Sequence, residues 1–163
     1  MNVTVPFKKK VIPFVENLSK TAKETSSVNT IFKKEDLIYG DNTDVQGFEL
    51  SLKYENCDIA NKKAFILGAG GVVPSIIKAL KNLNINQIFL SNRTIKNSDH
   101  ITKQYPEIII VEWGQIPDFD IVINATSLGL NKDDHINFNF EELKNPKIFY
   151  DLIYNPRVTK FLE

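Results

Sequence analysis

One cysteine, one methionine, one tryptophan and two histidines are all that the 163-residue chain holds of those four types. With Cys57 alone, no internal disulfide forms, which fits a reducing compartment and excludes a stapled secreted scaffold. His100 and His135 have no metal-ligand spacing around them and read as surface residues, so no metal site is expected. Neither sign of charge prevails: 20 Lys and Arg face 20 Asp and Glu, a formal net charge of zero. That balance gives no electrostatic reason for nucleic acid or a membrane surface as partner. Long apolar runs are missing too, so no segment reads as a membrane span. The start, Met1-Asn2-Val3-Thr4-Val5-Pro6, has no charged region followed by an apolar one and does not read as a signal peptide. Internal repeats and low-complexity tracts are absent. The expectation is a cytoplasmic protein.

What is present suits a packed core: 42% hydrophobic and 25% charged residues, ordinary globular values. The pattern changes near Cys57–Asn61. Before it, Val11, Ile12, Phe14, Val15 and Leu18 have helix-like spacing over Lys8–Leu18. Val28–Phe32 and Leu37–Tyr39 read as strands joined by a charged turn, Lys33-Lys34-Glu35-Asp36. Thr43–Leu52 reads as a helix with Thr43 as N-cap and Val45, Phe48 and Leu52 on one face. After the break, short apolar strands alternate with helices. Ala64–Leu67, Gln87–Leu90, Ile108–Val111, Ile121–Ile123 and Ile148–Tyr150 are the candidate strands. Gly71–Leu83 is a helix with Ile76, Ile77, Leu80 and Leu83 inward. Such strands imply a parallel sheet covered on both faces. The expected fold is α/β: part of an α/β substrate-binding domain over 1–54, then a doubly wound, Rossmann-like domain over 59–163.

Leu67-Gly68-Ala69-Gly70-Gly71-Val72-Val73 lies where the first strand of that second part turns into a helix, the phosphate-binding position of dinucleotide folds. Gly68 permits the tight turn, Gly70 lets backbone approach a pyrophosphate, and the helix offers free N–H groups to the anion. The third glycine of the usual fingerprint would fall at Val73 and is absent; Pro74 suits the first helical turn. A turn that merely packs a strand on a helix would read alike. The next strand ends in Ser91-Asn92-Arg93-Thr94, with Arg93 25 residues after Gly68. An NAD site places Asp or Glu near here to hold the ribose 2′-OH. A guanidinium instead suits a 2′-phosphate, which favours NADP, although Arg93 alone would also read as a solvated charge.

Three polar motifs precede this domain: Asn2–Lys8, Val28-Asn29-Thr30 and Gly40-Asp41-Asn42-Thr43-Asp44-Val45-Gln46-Gly47-Phe48. Their amides, hydroxyls, lysine and aspartate suit a polyhydroxylated, anionic ligand. Alcohol oxidation needs a group that takes the hydroxyl proton as hydride leaves the carbon, and a lysine beside an aspartate can do so. By spacing alone, a solvated Lys8 and an Asn-Thr-Asp helix cap remain open.

Together these motifs resemble the signatures of the shikimate dehydrogenases (shikimate/quinate dehydrogenase family), in the same order. The resemblance continues through Gly68–Gly71, Asn92-Arg93-Thr94, Ile123–Leu130, Tyr150–Pro156 and Thr159-Lys160-Phe161-Leu162, from residue 2 to the last residue. It implies NADP-dependent, reversible oxidation of shikimate to 3-dehydroshikimate in chorismate and aromatic amino acid biosynthesis. Lys8 would be the proton acceptor or donor, with Asp44 beside it. Thr4, Lys8, Asn29, Asp44 and Tyr154 would bind substrate. Gly68, Ala69, Gly70, Gly71, Asn92, Arg93, Thr94 and Leu152 would hold NADP, its nicotinamide in the cleft between the domains. An NAD-using quinate/shikimate dehydrogenase and a non-catalytic NADP-binding remnant are the alternatives. Val72 and Val73 stand where the family favours small residues. The family's opening Ser-x-Ser segment and its closing part, with a glycine near the nicotinamide and a substrate-binding glutamine, have no counterpart here. The expectation is therefore a fragment or truncated reading of a longer gene product, with the substrate carboxylate under-bound. Residues 1–54 would be poorly folded alone, whereas residues 59–163 would be the more self-sufficient part.

Overall fold

The computed structural model describes residues 1–131, 133–136, 138–140, 143 and 147–163. The chain groups into two units: Met1–Asp58 with Gly71–Leu83, and Ile59–Gly70 with Asn84–Glu163.

In the first unit, β1 (Asn17–Leu18), β2 (Thr30–Lys34) and β3 (Leu37–Asp41) form a sheet in the order β1-β3-β2. β1 runs parallel to β3, and β2 pairs antiparallel with it from Thr30↔Asp41 to Lys34↔Leu37. Only Glu35 and Asp36 lie between the hairpin strands, both at positive φ (50° and 64°). That pair makes a type I′ turn, whose twist matches the strands it joins. Helices α1 (Lys20–Thr25), α2 (Asp44–Tyr54) and α3 (Val73–Asn82) complete the unit. Val45, Phe48 and Leu52 are buried on α2, as their spacing implies. On α3, Ile76, Ile77 and Leu80 are buried, Pro74 lies in the first turn, and Leu83 caps the end half-buried.

The expected helix over Lys8–Leu18 is a correction. That stretch is a run of turns, one 3-10 turn at Ile12–Phe14, and then β1. Pro13 has no N–H to offer the carbonyl of Lys9, so the turn begun by Val11 N–H on the carbonyl of Phe7 (3.0 Å) does not propagate. Helix α3 also differs from the expected division, which assigned it to the second domain. It groups with the first unit because it is tied to α1 and α2: Lys78 pairs with Glu24 at 2.9 Å, and Asn82 Nδ2 donates to Glu49 at 2.7 Å.

The second unit is a five-stranded, wholly parallel sheet of β4 (Lys63–Leu67), β5 (Gln87–Ser91), β6 (Ile109–Val111), β7 (Ile121–Asn124) and β8 (Ile148–Asp151). The order is β6-β5-β4-β7-β8. Strands are added outward from β4 on one side and then, after the reversal, from β7 on the other. This is the doubly wound order, and its switch point lies between β4 and β7. Both strands are buried along nearly their whole length, as continuous apolar runs require. One face carries Phe65, Leu67 and Val122 against Phe119 and Phe138, with Trp113, Phe140, Phe149 and Phe161 around them. Trp113 and Phe138 meet edge-on at 5.0 Å and 84°, a geometry that ring quadrupoles favour, whereas Phe138 and Phe140 stack at 5.8 Å and 10°. A short helix, α4 (Asp99–Gln104), follows β5. At the start of β4, Lys63 Nζ pairs with Asp118 at 2.7 Å.

Candidate functional site

In the first unit, Lys8, Asn29 and Asp44 come together. Lys8 Nζ donates to Asp44 Oδ2 at 2.7 Å, and Asn29 Nδ2 donates to Asp44 Oδ1 at 2.8 Å. Both oxygens of the carboxylate are thus engaged. The Lys8 and Asp44 side chains are 13% and 22% exposed, so the pair is largely shielded yet still reached by solvent. Backbone bonds place the parts. Val3 N–H donates to the carbonyl of Asn29 (2.7 Å), and Val28 N–H donates to that of Lys8 (2.8 Å). These bonds lay the 3–8 segment beside the entry to β2. Asp44 is fixed as the first residue of α2, where a carboxylate also complements the helix dipole. Thr4 is exposed on the same segment, its carbonyl accepting from Phe7 N–H at 2.8 Å. Thr43 occupies the N-cap position of α2, but its hydroxyl makes no cap bond. Instead, Asn42 Oδ1 accepts the Asp44 N–H at 3.0 Å.

In the second unit, the remaining candidates lie at the carboxyl ends of the strands. Gly68 follows β4 with φ +104°, and a Cβ there would stand 2.8 Å from the carbonyl oxygen of Ala125, just past β7. Glycine is therefore obligatory at the switch point. A Cβ at Gly70 would meet nothing nearer than that oxygen at 3.8 Å, which leaves the backbone open to an incoming group. Ala69 is buried between them, and Gly71 leads into α3. After β5, Asn92 Nδ2 donates to the carbonyl of Thr94 at 2.7 Å, closing a turn that presents Arg93. Arg93 is exposed and has no acidic partner among the described residues.

Leu152 and Tyr154 follow β8. Leu152 N–H donates to the carbonyl of Asn124 at 3.1 Å, and Tyr154 is 90% exposed. Behind them lies a network to which the sequence motifs assign no role. Asn124, wholly buried at the end of β7, donates to Asp151 Oδ1 (3.0 Å) and to the carbonyl of Leu128 (3.0 Å). Its oxygen accepts from the N–H and the hydroxyl of Thr126. Asp151 in turn accepts from Ile153 N–H (2.9 Å) and the Thr159 hydroxyl (2.5 Å). The loops after β7 and β8 are thereby fastened to each other. Further along, backbone N–H groups of Asn131 and Gly129 hold the Asp134 carboxyl below the usual carboxylate range. The signal in the sequence was the polar run Asn124-Ala125-Thr126-Ser127 directly after an apolar strand. Among the described residues no group of His, Cys, Asp or Glu could hold a metal ion, and no helix is long and apolar enough to cross a membrane.

The family model for shikimate / quinate 5-dehydrogenase matches residues 49–159. The chain belongs to this family. The model of the shikimate dehydrogenase substrate binding domain matches residues 1–31. The NADP(+) shikimate dehydrogenase of Pelagibacter ubique (strain HTCC1062) is 53% identical over 163 residues, covering all of this chain and 62% of that protein. The crystal structure of shikimate dehydrogenase from Aquifex aeolicus is 36% identical, with a TM-score of 0.89 over 99% of this chain and 60% of that one. The Thermus thermophilus enzyme, solved with NADP(H) and shikimate, is 26% identical, with a TM-score of 0.87 over 99% of this chain and 60% of that one. The chain thus spans about three fifths of the length of these family members. Within the family, the parallel order β6-β5-β4-β7-β8 and the glycine turn after β4 are the Rossmann-like frame that the sequence pattern implied.

Proposed function

We propose that the chain carries the proton-transfer and cofactor-binding parts of an NADP-dependent shikimate dehydrogenase, interconverting shikimate and 3-dehydroshikimate. The observation that carries this reading is the shielded pair of Lys8 and Asp44, completed by Asn29. In the oxidation direction, the Lys8 amine takes the proton of the reacting hydroxyl; in the reverse direction, its ammonium returns it. Asp44 fixes the lysine nitrogen through one oxygen and lends a carboxylate edge to the substrate hydroxyl. Asn29 keeps that carboxylate from rotating, and Thr4 supplies a further hydroxyl to a polyol. A positioned acid–base group of this kind contributes about 10²–10⁴-fold to rate.

The cofactor supplies hydride acceptance and donation when bound. The residues present fit it. Gly68 makes the tight turn against Ala125, Ala69 is buried beside it, Gly70 and Gly71 leave room for a pyrophosphate, and Leu152 N–H is bonded to the carbonyl at the end of β7. Arg93, exposed and without an acidic partner among the described residues, offers a guanidinium to a 2′-phosphate, with Asn92 and Thr94 shaping its turn. That preference separates NADP from NAD. In this reading residues 1–54 serve the substrate and residues 59–163 the cofactor.

The test is an assay of the purified chain for NADP binding and for shikimate-dependent formation of reduced cofactor. Turnover abolished by Lys8→Ala supports the full reading. NADP binding without turnover assigns the reaction to a longer protein of which this chain is a part. A folded chain that binds no NADP contradicts the cofactor assignment.

A further inference from the structure

Asp44 is oriented by its carboxylate partners and also from behind. Its backbone N–H donates to Asn42 Oδ1 at 3.0 Å, an Asx turn that caps α2 where the Thr43 hydroxyl does not. Asn42 is 4% exposed, and its other end is held as firmly. Nδ2 faces the hydroxyl of Thr25 (3.2 Å), the carbonyl of Ser27 (3.0 Å) and the hydroxyl of Ser75 (2.9 Å). Thr25, Ser27 and Ser75 are all fully buried. Thr25 passes its own proton to the carbonyl of Thr21 at 2.8 Å, so its oxygen is free to accept from Asn42. The two amide hydrogens are thus shared among three acceptors, drawn from α1, the turn after it, and α3.

We infer that Asn42 is a positioning residue for Asp44, a buried amide that joins α1 and α3 to the first turn of α2 and so sets the carboxylate against Lys8 and Asn29. Only a carboxamide supplies both an acceptor toward the Asp44 N–H and donors toward Thr25, Ser27 and Ser75. An aspartate would turn an oxygen toward the carbonyl of Ser27. A serine would keep the cap and lose the donors. Because Ser75 lies in the first turns of α3, the helix that follows the glycine turn, the same amide ties the Asp44 carboxylate to the position of that helix. The inference rests on the proposed role of Asp44.

Two readouts test it on the 163-residue chain. The first needs no ligand. A lysine ammonium held in a hydrogen bond exchanges its protons slowly enough to appear in ¹H–¹⁵N spectra. The Lys8 signal is expected in the wild type and lost in Asn42→Ala, with partial recovery in Asn42→Ser. The second is binding. Losing one buried hydrogen-bonded anchor should weaken shikimate about tenfold in Asn42→Ala, while NADP affinity stays within about twofold. If Asn42→Ala does not fold, Ser75→Ala carries the test. It removes one of three acceptors and should show the same pattern at about threefold. A folded Asn42→Ala that keeps the Lys8 signal, or that weakens both ligands alike, overturns the proposal. A wild type that shows an Asn42-dependent Lys8 signal yet binds no shikimate supports the positioning role and refutes the substrate reading instead.

Discussion

Lys8, Asn29 and Asp44 are drawn from segments up to 36 residues apart and meet through side-chain hydrogen bonds. Gly68 and Ala125 meet through backbone, at the ends of adjacent parallel strands. The first unit builds its candidate site from functional groups; the second builds its own from the absence of side chains. The difference predicts different failures. Removing a functional group in the first unit should abolish chemistry and leave the fold intact. Adding atoms in the second should damage the fold and the ligand site together, because the same close approach serves both.

The largest effect belongs to Lys8→Ala. Turnover should fall by about 10²–10⁴-fold, the range of a positioned acid–base group. NADP affinity and the denaturation midpoint should hardly move, which steady-state kinetics with a parallel titration would check.

Gly68→Val comes next. A β-branched residue at φ +104° would be strained and would drive its Cβ to within 2.8 Å of the Ala125 carbonyl oxygen. We expect a loss of about 2–5 kcal/mol in stability, together with loss of NADP binding. Chemical denaturation beside the titration would show both. A stable variant that loses NADP alone would break the comparison.

Arg93→Ala is the milder counterpart, because it removes a functional group from the backbone-built site. NADP affinity should fall about ten- to a hundredfold, the loss of charge-assisted bonds, while NAD binding is unchanged. Equal losses for both cofactors would show that Arg93 does not face a 2′-phosphate.

The smallest effect lies at the start of β4, the strand's opposite end from the glycine turn. The hydrogen bond from Lys63 depresses the Asp118 carboxyl, and the same bond raises the Lys63 ammonium. The Asp118 contribution is therefore present above the ordinary carboxylate range and lost as pH falls through its lowered value. The Lys63 contribution is present below the ordinary lysine range and lost as pH rises through its raised value. The pair is exposed, so its contribution is small. Asp118→Asn should slightly lower the neutral-pH midpoint and reduce its fall in acid, seen by denaturation across pH.

The parallel strands were legible because continuous apolar runs such as Ala64–Leu67 and Ile121–Ile123 declare two-sided burial, and α2 because Val45, Phe48 and Leu52 repeat at helical spacing. Lys8–Leu18 misled because its apolar spacing suited a helix while Pro13 forbade one. Helices α1 and α4, six residues each, escaped notice; Lys-Thr-Ala-Lys-Glu-Thr in α1 carries one buried apolar side chain, Ala22, too little to form a stripe. β1 has only two residues and exists through its pairing with β3. The glycine turn could be read locally, since its chemistry is that of one segment. The Lys8–Asp44 pair could not. No local pattern encodes a contact across 36 residues, and only the family motifs pointed to it. Asn42 stood inside such a motif, yet its role depends on Thr25, Ser27 and Ser75, which no linear motif connects.

The most direct test of the separate construction of the two sites is a crossed titration: NADP against Lys8→Ala, and shikimate against Arg93→Ala. Wild-type affinity is expected in both, because each variant alters only its own unit's site. Weakened NADP binding in a folded Lys8→Ala, or weakened shikimate binding in a folded Arg93→Ala, would contradict it.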